Sequence, residues 1–256
     1  MKISVCMATY NGEKFIKEQI NSILNQLDEN DEIIISDNGS NDNTVDVVKN
    51  FTDARIKLFI YKRNDTRSHW NKLYNITANF ENAINKSCGD IIMFCDQDDI
   101  WEANKISTLK NDLTKKDCVF SNYCIIDEEN NVICARKHTT NPLNNPIRVL
   151  LFPPFLGCTM AVKRSFLRYY LPFPQKLILH DIYIGLIAYL TNKIYFEKKV
   201  LTFYRRHNRN VTTASHGKTK NNLFRIIAWR SKFYFLILVA FLHFTKKSTK
   251  HNVIGT

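Results

Sequence analysis

Along the first 113 residues, short apolar runs alternate with longer segments whose apolar residues recur at helical spacing. The apolar runs predict strands over Ile3–Met7, Glu32–Ser36, Arg55–Tyr61 and Ile91–Cys95. The segments between them predict helices over Glu13–Leu27, from Asp42–Thr44 to Phe51, and over Tyr74–Lys86. Strands that alternate with helices are typical of a parallel, doubly wound α/β sheet.

The last of these strands runs directly into an acidic tip. Ile91–Cys95 is apolar at every position, as in a strand that is buried on both faces of a helix-covered sheet. Asp96, Asp98 and Asp99 follow at its carboxyl end, where open α/β sheets place their ligand crevice. Crowded carboxylates repel one another, so they indicate either full solvation or a bound cation. The alternative is an acidic turn in which Asp99 caps a helix over Trp101–Leu113.

Polar loops also follow the first two strands, and a parallel sheet brings both loops to the rim that carries the acidic tip. This common edge predicts a nucleotide crevice. No G-x-G-x-x-G follows a strand, and the sequence has no P-loop lysine motif. A diphosphate at this edge therefore needs another partner, and a divalent cation held by Asp98 supplies it. Hard carboxylate oxygens suit Mg²⁺ or Mn²⁺.

The pattern changes after residue 117. It predicts a strand over Asp117–Asn122, a turn or hairpin to Val132, a polar loop over Lys137–Pro146, a loop and strand over Pro153–Val162, and an apolar helix over Ile182–Leu190. Asp181 lies in the first turn of that helix, where the helix dipole favours the ionised carboxylate. An ordinary helix cap is the alternative interpretation of Asp181.

Two short strands, Tyr195–Phe196 and Val200–Tyr204, are predicted to deliver a cationic cluster. Arg205 and Arg206 in that cluster are candidates to hold a leaving diphosphate. A solvated basic loop is the alternative.

Composition narrows the class of protein. The chain has 256 residues, of which 45% are hydrophobic, so it can bury the core of one large domain. Its net charge of +12 predicts anionic partners, namely a phosphorylated substrate, an acidic membrane surface or nucleic acid. The seven cysteines are scattered and lack C-x-x-C spacing, which predicts buried, reduced thiols in a cytosolic protein. The amino terminus shows no secretory signal.

The carboxyl-terminal segment differs from the rest. Leu223–Phe244 has helical periodicity and is dense in aromatic and apolar residues, with cations inside and after it. Its apolar run, Phe233–Phe244 apart from His243, is shorter than the roughly 20 residues that a membrane-spanning helix needs. A basic amphipathic helix lying on an anionic membrane fits this pattern. A helix packed on the domain's own core is the alternative.

Several stretches, in this order, resemble glycosyltransferases of family 2, the inverting nucleotide-sugar enzymes with the GT-A fold. They are Ser4–Gly12, Ser36–Thr44, Phe94–Trp101 with its D-Q-D-D-I-W sequence, Gly157–Met160, His180–Asp181 and Tyr204–His207. The resemblance covers residues 3 to about 212. Within the family, this version is similar to the rhamnosyl- and galactosyltransferases that assemble bacterial O-antigen and capsule.

The resemblance implies a role for each matching position. The base and ribose pocket would be lined by Thr9, Tyr10, Asn11 and Glu13. Asp37 would meet the uracil or thymine ring, Asp96 would contact the ribose side, and Asp98 would hold Mn²⁺ or Mg²⁺ on the diphosphate. Asp181 takes the place of the general base. The chain departs from the usual pattern where Asn38 replaces a second Asp and His180 replaces Glu.

These inferences predict an α/β protein with a GT-A-like domain over residues 1–220, in which helices flank a Rossmann-like, mostly parallel sheet. Residues 221–256 would form the amphipathic helix and tail. The expected donor is a UDP- or dTDP-sugar. The expected acceptor is a glycan or a lipid-linked oligosaccharide, reached from the inner face of the cytoplasmic membrane, with no nucleic-acid partner. The alternatives are a nucleotidyltransferase, a nucleic-acid-binding module and a catalytically dead member that binds nucleotide.

Overall fold

The computed structural model describes residues 1–61, 69–175, 177–208 and 210, with Ser231, Tyr234, Phe235 and Leu238, and gives only the backbone of residues 69–72. The strands in this part of the chain are β1 (Ile3–Thr9), β2 (Glu32–Asp37), β3 (Ile56–Ile60), β4 (Ile91–Asp96), β5 (Ile100–Trp101), β6 (Cys118–Ile126), β7 (Val132–Cys134), β8 (Met160–Lys163) and β9 (Ile194–Arg205). The helices are α1 (Ile16–Leu24), α2 (Thr44–Lys49), α3 (His69–Lys86), α4 (Lys105–Asp112), α5 (Pro146–Leu151), α6 (Arg164–Leu167) and α7 (His180–Leu190). Short 3₁₀ helices span Pro142–Asn144 and Gly157–Thr159.

The strands form one mixed sheet in the order β3-β2-β1-β4-β8-β6-β9-β5, with β7 paired to β6. The first four strands of this order are parallel, as the alternation of strands and helices predicts. β8 runs antiparallel to both β4 and β6, whereas β9 runs parallel to β6. Most paired residues therefore belong to parallel ladders. The prediction of an α/β domain with a mostly parallel sheet is confirmed.

Both faces of the sheet are covered, which explains why its strands lack an alternating pattern. Val5 and Met93 belong to a core cluster that includes Ile20 of α1 and Leu109 of α4. The next residues along these strands, Cys6 and Phe94, belong to a second cluster on the opposite face, with α3 and α7. Successive side chains of a strand point to opposite faces, so one apolar run supplies both layers.

The predicted helical cap at Asp99 is wrong. Ile100 and Trp101 form β5, which pairs antiparallel with Phe203 and Thr202 of β9, and α4 begins only at Lys105. Trp101 is almost fully buried in this arrangement. Tertiary pairing of this buried aromatic residue overrides the local helix signal.

The predicted pair of strands over Tyr195–Phe196 and Val200–Tyr204 is a single strand of 12 residues. Its register against β6 shifts on either side of Asn122, which accommodates the polar residues between the two predicted segments.

All seven cysteines are described and free, and five of them are buried, as predicted. The predicted helix over Leu223–Phe244 lies outside the described residues except for four helical positions, and the boundary at residue 220 stays a prediction. One of the four, Tyr234, packs against the core and donates its hydroxyl hydrogen to the Leu150 carbonyl. In the part of the chain that the structure describes, no helix has both the length and the apolar character needed to cross a bilayer.

Candidate functional site

The register of the parallel strands brings the predicted site residues to one edge of the sheet. Thr9 at the end of β1 is paired with Asp37 at the end of β2. Ala8 of β1 is paired with Asp96 at the end of β4. The polar loops that follow β1 and β2 therefore share a rim with the acidic tip, as the sequence predicts.

The carboxylate of Asp37 holds the loop after β2 in place. Its Oδ1 accepts the N–H groups of Gly39 at 2.9 Å and Ser40 at 2.8 Å. Its Oδ2 accepts the hydroxyls of Thr9 at 2.9 Å and Ser40 at 2.6 Å. Four donors use the roughly four acceptor positions of a carboxylate, and Asp37 is fully buried. The geometry thus gives Asp37 a loop-ordering role, and its predicted contact with the base stays a prediction.

The loop after β1 is hydrogen-bonded to the loop after β2. Asn11 adopts a left-handed backbone conformation, its N–H donates to Ser40 Oγ at 2.8 Å, and its Oδ1 accepts from the Asn41 N–H. The Glu13 carboxylate accepts from both the backbone and the side-chain nitrogens of Asn43. The side chain of Tyr10 is not part of this network and is 42% exposed. Two rigid loops therefore present Tyr10 at the rim.

The middle residue of the acidic tip, Gln97, connects it to the loop after β1. Its Oε1 accepts from the Tyr10 N–H at 2.8 Å, and its Nε2 donates to the Tyr10 carbonyl at 3.1 Å. A Cβ at Gly12 would lie 2.4 Å from Gln97 Oε1, so glycine is needed for this close approach. The amide of Gln97 thereby fixes the distance between the two loops.

Asp98, the predicted metal ligand, meets a histidine that lies 109 residues later in the chain. Its Oδ2 lies 2.7 Å from His207 Nε2, and both side chains are mostly buried. The imidazole ring packs on Phe15, with ring centroids 5.3 Å apart. Asn210 Nδ2 also approaches the same carboxylate oxygen, at 3.4 Å. The Asp98 carboxylate and the His207 imidazole are therefore direct partners at the acidic tip.

A second acidic cluster lies deeper in the protein. Ligand atoms of Asp96, Asp99 and Cys158 lie within 4.8 Å of one another. Burial and the neighbouring charge of Asp98 raise the pKa of Asp99 to about 7. The ammonium of Lys105, which donates to the Cys158 carbonyl at 2.5 Å, only partly offsets the effects that raise the pKa values of Asp96 and Asp99. A cation of the protein already serves this cluster, and a thiol is a poor ligand for Mg²⁺ or Mn²⁺. Asp98 therefore remains the candidate metal ligand, and that role stays a prediction.

Arg205 is a buried residue that connects three parts of the fold. It is 1% exposed. Its guanidinium donates to the Asp98 carbonyl at 2.8 Å and to Glu18 Oε2 at 2.7 Å, and it also contacts Asn130 Oδ1. Its other face lies over the Phe15 ring, 4.6 Å from the centroid. Arg205 therefore joins α1, the acidic tip and the β6–β7 hairpin, which differs from the predicted contact with a diphosphate.

Arg206 has a more open setting. Its side chain is half-buried, and its guanidinium carbon lies 5.8 Å from the centroid of the Tyr204 ring. Its backbone N–H continues the strand pairing by donating to the Ile126 carbonyl. The role predicted for Arg206 stays a prediction.

The predicted base, Asp181, lies in the first turn of α7. It is not the N-cap residue of that helix. Its Oδ1 accepts the Ile182 N–H at 2.8 Å, and its Oδ2 accepts the Gly157 N–H at 3.0 Å. The residue at the N-cap position is Leu179, in a left-handed conformation. Burial first, and then the charges of Asp99, Asp98 and Asp181, raise the pKa of Asp96 well above its usual range. Asp181 thus lies close enough to the acidic tip for its charge to act on Asp96.

His180, which stands before the base, is held among aromatic rings. Its ring centroid lies 4.2 Å from that of Phe80 and 5.3 Å from that of Phe94. Burial lowers the pKa of His180, so the ring is neutral near pH 7. His180 therefore places a neutral, packed ring beside Asp181 and adds no charge there.

Sequence reasoning missed three site residues. His207 lies in a stretch that carries the family resemblance, but nothing in its neighbourhood signals a contact with Asp98. Gln97 is visible as the middle residue of D-Q-D, yet its hydrogen bonds to the Tyr10 backbone depend on the tertiary fold. The Gly157 N–H that holds Asp181 has no side-chain signal at all.

Comparison with known proteins agrees with this architecture. A family model described as glycosyl transferase family 2 matches residues 4–171. The dTDP-rhamnosyl transferase RfbG of Shigella flexneri is 29% identical over 260 residues, which cover 95% of this chain and 82% of that protein. The UDP-Glc:alpha-D-GlcNAc-diphosphoundecaprenol beta-1,3-glucosyltransferase WfgD of Escherichia coli is 32% identical over 203 residues, 75% of this chain and 71% of that protein.

Among solved structures, S. aureus TarS 1–349 in complex with UDP-GlcNAc has a similar fold. The TM-score is 0.66 at 18% identity, and the match covers 90% of this chain and 65% of the TarS chain. At that identity the likeness concerns the fold alone. Together with the family match, it establishes that the chain belongs to glycosyl transferase family 2 and is a glycosyltransferase with the GT-A fold.

Proposed function

We propose that the protein is a metal-dependent inverting glycosyltransferase that moves a sugar from a UDP- or dTDP-sugar to a glycan or lipid-linked oligosaccharide. The observation that carries this proposal is the convergence of the acidic tip and Asp181 on one rim, close enough for the charge of Asp181 to raise the pKa of Asp96. On this proposal, the partner of the diphosphate and the acceptor of the proton are neighbours, as direct displacement requires.

The residues at the rim fit a divalent cation. Asp98 offers a carboxylate oxygen, and His207 offers an imidazole nitrogen 2.7 Å from it. Mn²⁺ accepts both kinds of ligand, and Mg²⁺ accepts the oxygen readily. The crowded charges of Asp96, Asp98 and Asp99 would also be relieved by a cation. When bound, this cation would supply Lewis-acid stabilisation of the leaving diphosphate.

Asp181 would take the proton from the acceptor hydroxyl. A hydroxyl is a weak nucleophile, so its attack needs a carboxylate within hydrogen-bond reach. Each oxygen of Asp181 accepts a single N–H in the structure, so each retains acceptor capacity for a hydroxyl. The Gly157 N–H orients one of these oxygens. A single base that acts on the face opposite the leaving group inverts the anomeric centre without a covalent intermediate.

The nucleotide would lie along the loops that follow β1 and β2. The exposed ring of Tyr10 provides a surface on which a base can stack. Thr9, Asn11, Glu13 and Asp37 keep those loops in register through the hydrogen bonds described above. Asp96 remains the candidate for the ribose side, and Arg206 the candidate cation for the diphosphate.

The names of the relatives suggest the substrate class. Donors linked to dTDP and UDP both occur in those names, and WfgD acts on a diphosphoundecaprenol-linked acceptor. A lipid-linked acceptor at the inner face of the cytoplasmic membrane is consistent with the basic, apolar tail. We therefore infer a role in surface polysaccharide synthesis such as O-antigen or capsule, as a peripheral membrane protein with no nucleic-acid partner.

Release of nucleotide from a panel of UDP- and dTDP-sugars, measured with Mn²⁺ and a lipid-linked acceptor, tests this function. We expect free UDP or dTDP and a lengthened glycan for at least one donor, with no release after chelation of the metal. A nucleotidyltransferase would release no nucleoside diphosphate from this panel; when supplied with a nucleoside triphosphate and a sugar 1-phosphate, it would instead form pyrophosphate and a nucleotide sugar. If no donor is consumed under any condition, the proposed function is wrong.

A further inference from the structure

An exposed apolar surface lies on α5, outside the active site. Three side chains of α5 and the one that follows it are exposed: Ile147 is 71% exposed, Leu150 and Leu151 are 37% and 45% exposed, and Phe152 is 62% exposed. Four large apolar side chains this exposed within six residues are unusual for the surface of a soluble domain. We call these four residues the α5 surface.

Cations border the α5 surface. Arg148 lies on the same helix, and its charge acts on His138 together with that of Lys137. A neighbouring cavity of about 240 Å³, which reaches Asn144 next to α5, is lined by Arg136 and Lys198, and its lining holds no carboxylate. All four cations are exposed. The sequence from residue 130 to residue 180 contains seven lysines and arginines and no aspartate or glutamate.

The α5 surface also adjoins the carboxyl-terminal segment. The hydroxyl of Tyr234 donates to the carbonyl of Leu150. Phe235 and Leu238, close to Tyr234 in the chain, are 63% and 54% exposed. No acidic residue follows Glu197 in the sequence. The apolar character of α5 therefore continues onto Phe235 and Leu238 of that segment.

We propose that the α5 surface docks the protein on an anionic phospholipid bilayer. Apolar side chains enter the boundary between head groups and acyl chains, while the bordering cations contact lipid phosphates. A second copy of this chain is disfavoured as the occupant, because a two-fold interface would set the same cations against each other. The biological role of this docking rests on the proposed function, whereas the docking itself does not depend on that function.

Docking through α5 would place the active site near the membrane. Gly157, whose N–H holds Asp181, follows Phe152 by five residues. A chain of that length spans at most about 18 Å. The general base would therefore lie within reach of sugars that project from a lipid-linked diphosphate.

Co-sedimentation of the full-length protein with vesicles tests the docking, with phosphatidylglycerol-containing vesicles compared with pure phosphatidylcholine at fixed ionic strength. We expect binding to the anionic vesicles, and at least about a tenfold weaker partition for the double variant Ile147→Gln/Phe152→Gln. Arg148→Gln should weaken the same partition about fivefold. The matched control is Ile60→Gln, which removes an equally exposed apolar residue (58%) from the edge strand β3 and should leave partition unchanged.

Three results would overturn the proposal. The wild-type protein could bind neither vesicle, or the double variant could bind anionic vesicles as tightly as wild type, which would assign binding to the tail alone. The double variant could instead convert a dimer into a monomer in sedimentation velocity, which would assign the surface to a second copy. Thermal stabilisation by UDP and Mn²⁺ without vesicles is measured on the same samples, so that loss of docking is distinguished from failure of the proposed function.

Discussion

Replacing Asp181 with Asn separates its chemistry from its structural contacts. The substitution keeps the shape of the side chain but turns one of its two oxygens into an NH₂ group. Both oxygens accept an N–H in the structure, one from Gly157 and one from Ile182. In the variant, one of these N–H donors must face the NH₂ group and loses its acceptor.

The two consequences have different sizes. Loss of one acceptor for a partly buried N–H costs about 1–2 kcal/mol of unfolding free energy. For a protein of this size, that corresponds to a fall in Tm of roughly 2–8 °C. Loss of the general base should lower kcat about 100- to 10,000-fold, because the acceptor hydroxyl would have to attack without a proton acceptor. The affinity for donor nucleotide and Mn²⁺ should not change.

Three measurements on Asp181→Asn check this reasoning: nucleotide release under saturating donor, Tm by calorimetry, and UDP affinity by titration. Asp117→Asn is the matched control, since Asp117 also has charged partners, Lys163 at 2.9 Å and Lys193 at 3.0 Å, but belongs to the opposite end of β6 from the site. That variant should lose stability and keep its kcat. If Asp181→Asn retains more than about a tenth of wild-type activity, Asp181 is not the base.

Four further variants address the metal, the buried contacts of Arg205 and the dependence of stability on pH. Asp98→Ala and His207→Ala should each weaken Mn²⁺-dependent UDP binding at least about tenfold in calorimetric titration, and an unchanged affinity would exclude that residue as a ligand. Arg205→Lys should lower the free energy of unfolding, measured in urea, by about 3 kcal/mol or more, because one ammonium cannot donate to all the partners of a buried guanidinium. A loss below about 1 kcal/mol would show that these contacts of Arg205 do not stabilise the fold. Although burial raises the pKa of Glu32, hydrogen bonds from Lys57, Ser4 and Cys88 bring it down to about 2. The ionised Glu32 therefore contributes at most about 3 kcal/mol to the free energy of unfolding. This contribution is complete above the unfolded pKa of about 4.5 and is lost as pH falls toward 2. The difference in unfolding free energy between wild type and Glu32→Gln should therefore disappear over that pH interval.

The part of the fold that the sequence predicts is the part in which local pattern and burial agree. Ile91–Cys95 is apolar throughout because both faces of β4 are covered, and this alone marks it as a central strand. The common edge for Asp37 and Asp96 then follows from parallel pairing, without knowledge of any side-chain contact. Residue type and position in the chain were sufficient for these inferences.

The parts that escaped prediction depend on partners that are distant in sequence. β5 has only two residues and exists because β9 returns beside it, which no local window can show. The contact between Asp98 and His207 joins residues 109 positions apart. Arg205 looks like a surface cation in the sequence, yet Glu18 and the Asp98 carbonyl bury it. Charge patterns predict a role for a side chain only after the fold has decided its neighbours.

The proposed mechanism requires Asp98 and His207 to hold a cation that contacts the diphosphate of a sugar donor. Anomalous diffraction at the manganese edge, from a crystal that contains UDP and Mn²⁺, would locate that cation. We predict a single strong manganese peak beside Asp98 and His207, with the diphosphate next to it and uracil beside Tyr10. A manganese peak at the cluster of Asp99 and Cys158, or a nucleotide bound away from the rim of β1, β2 and β4, would contradict it.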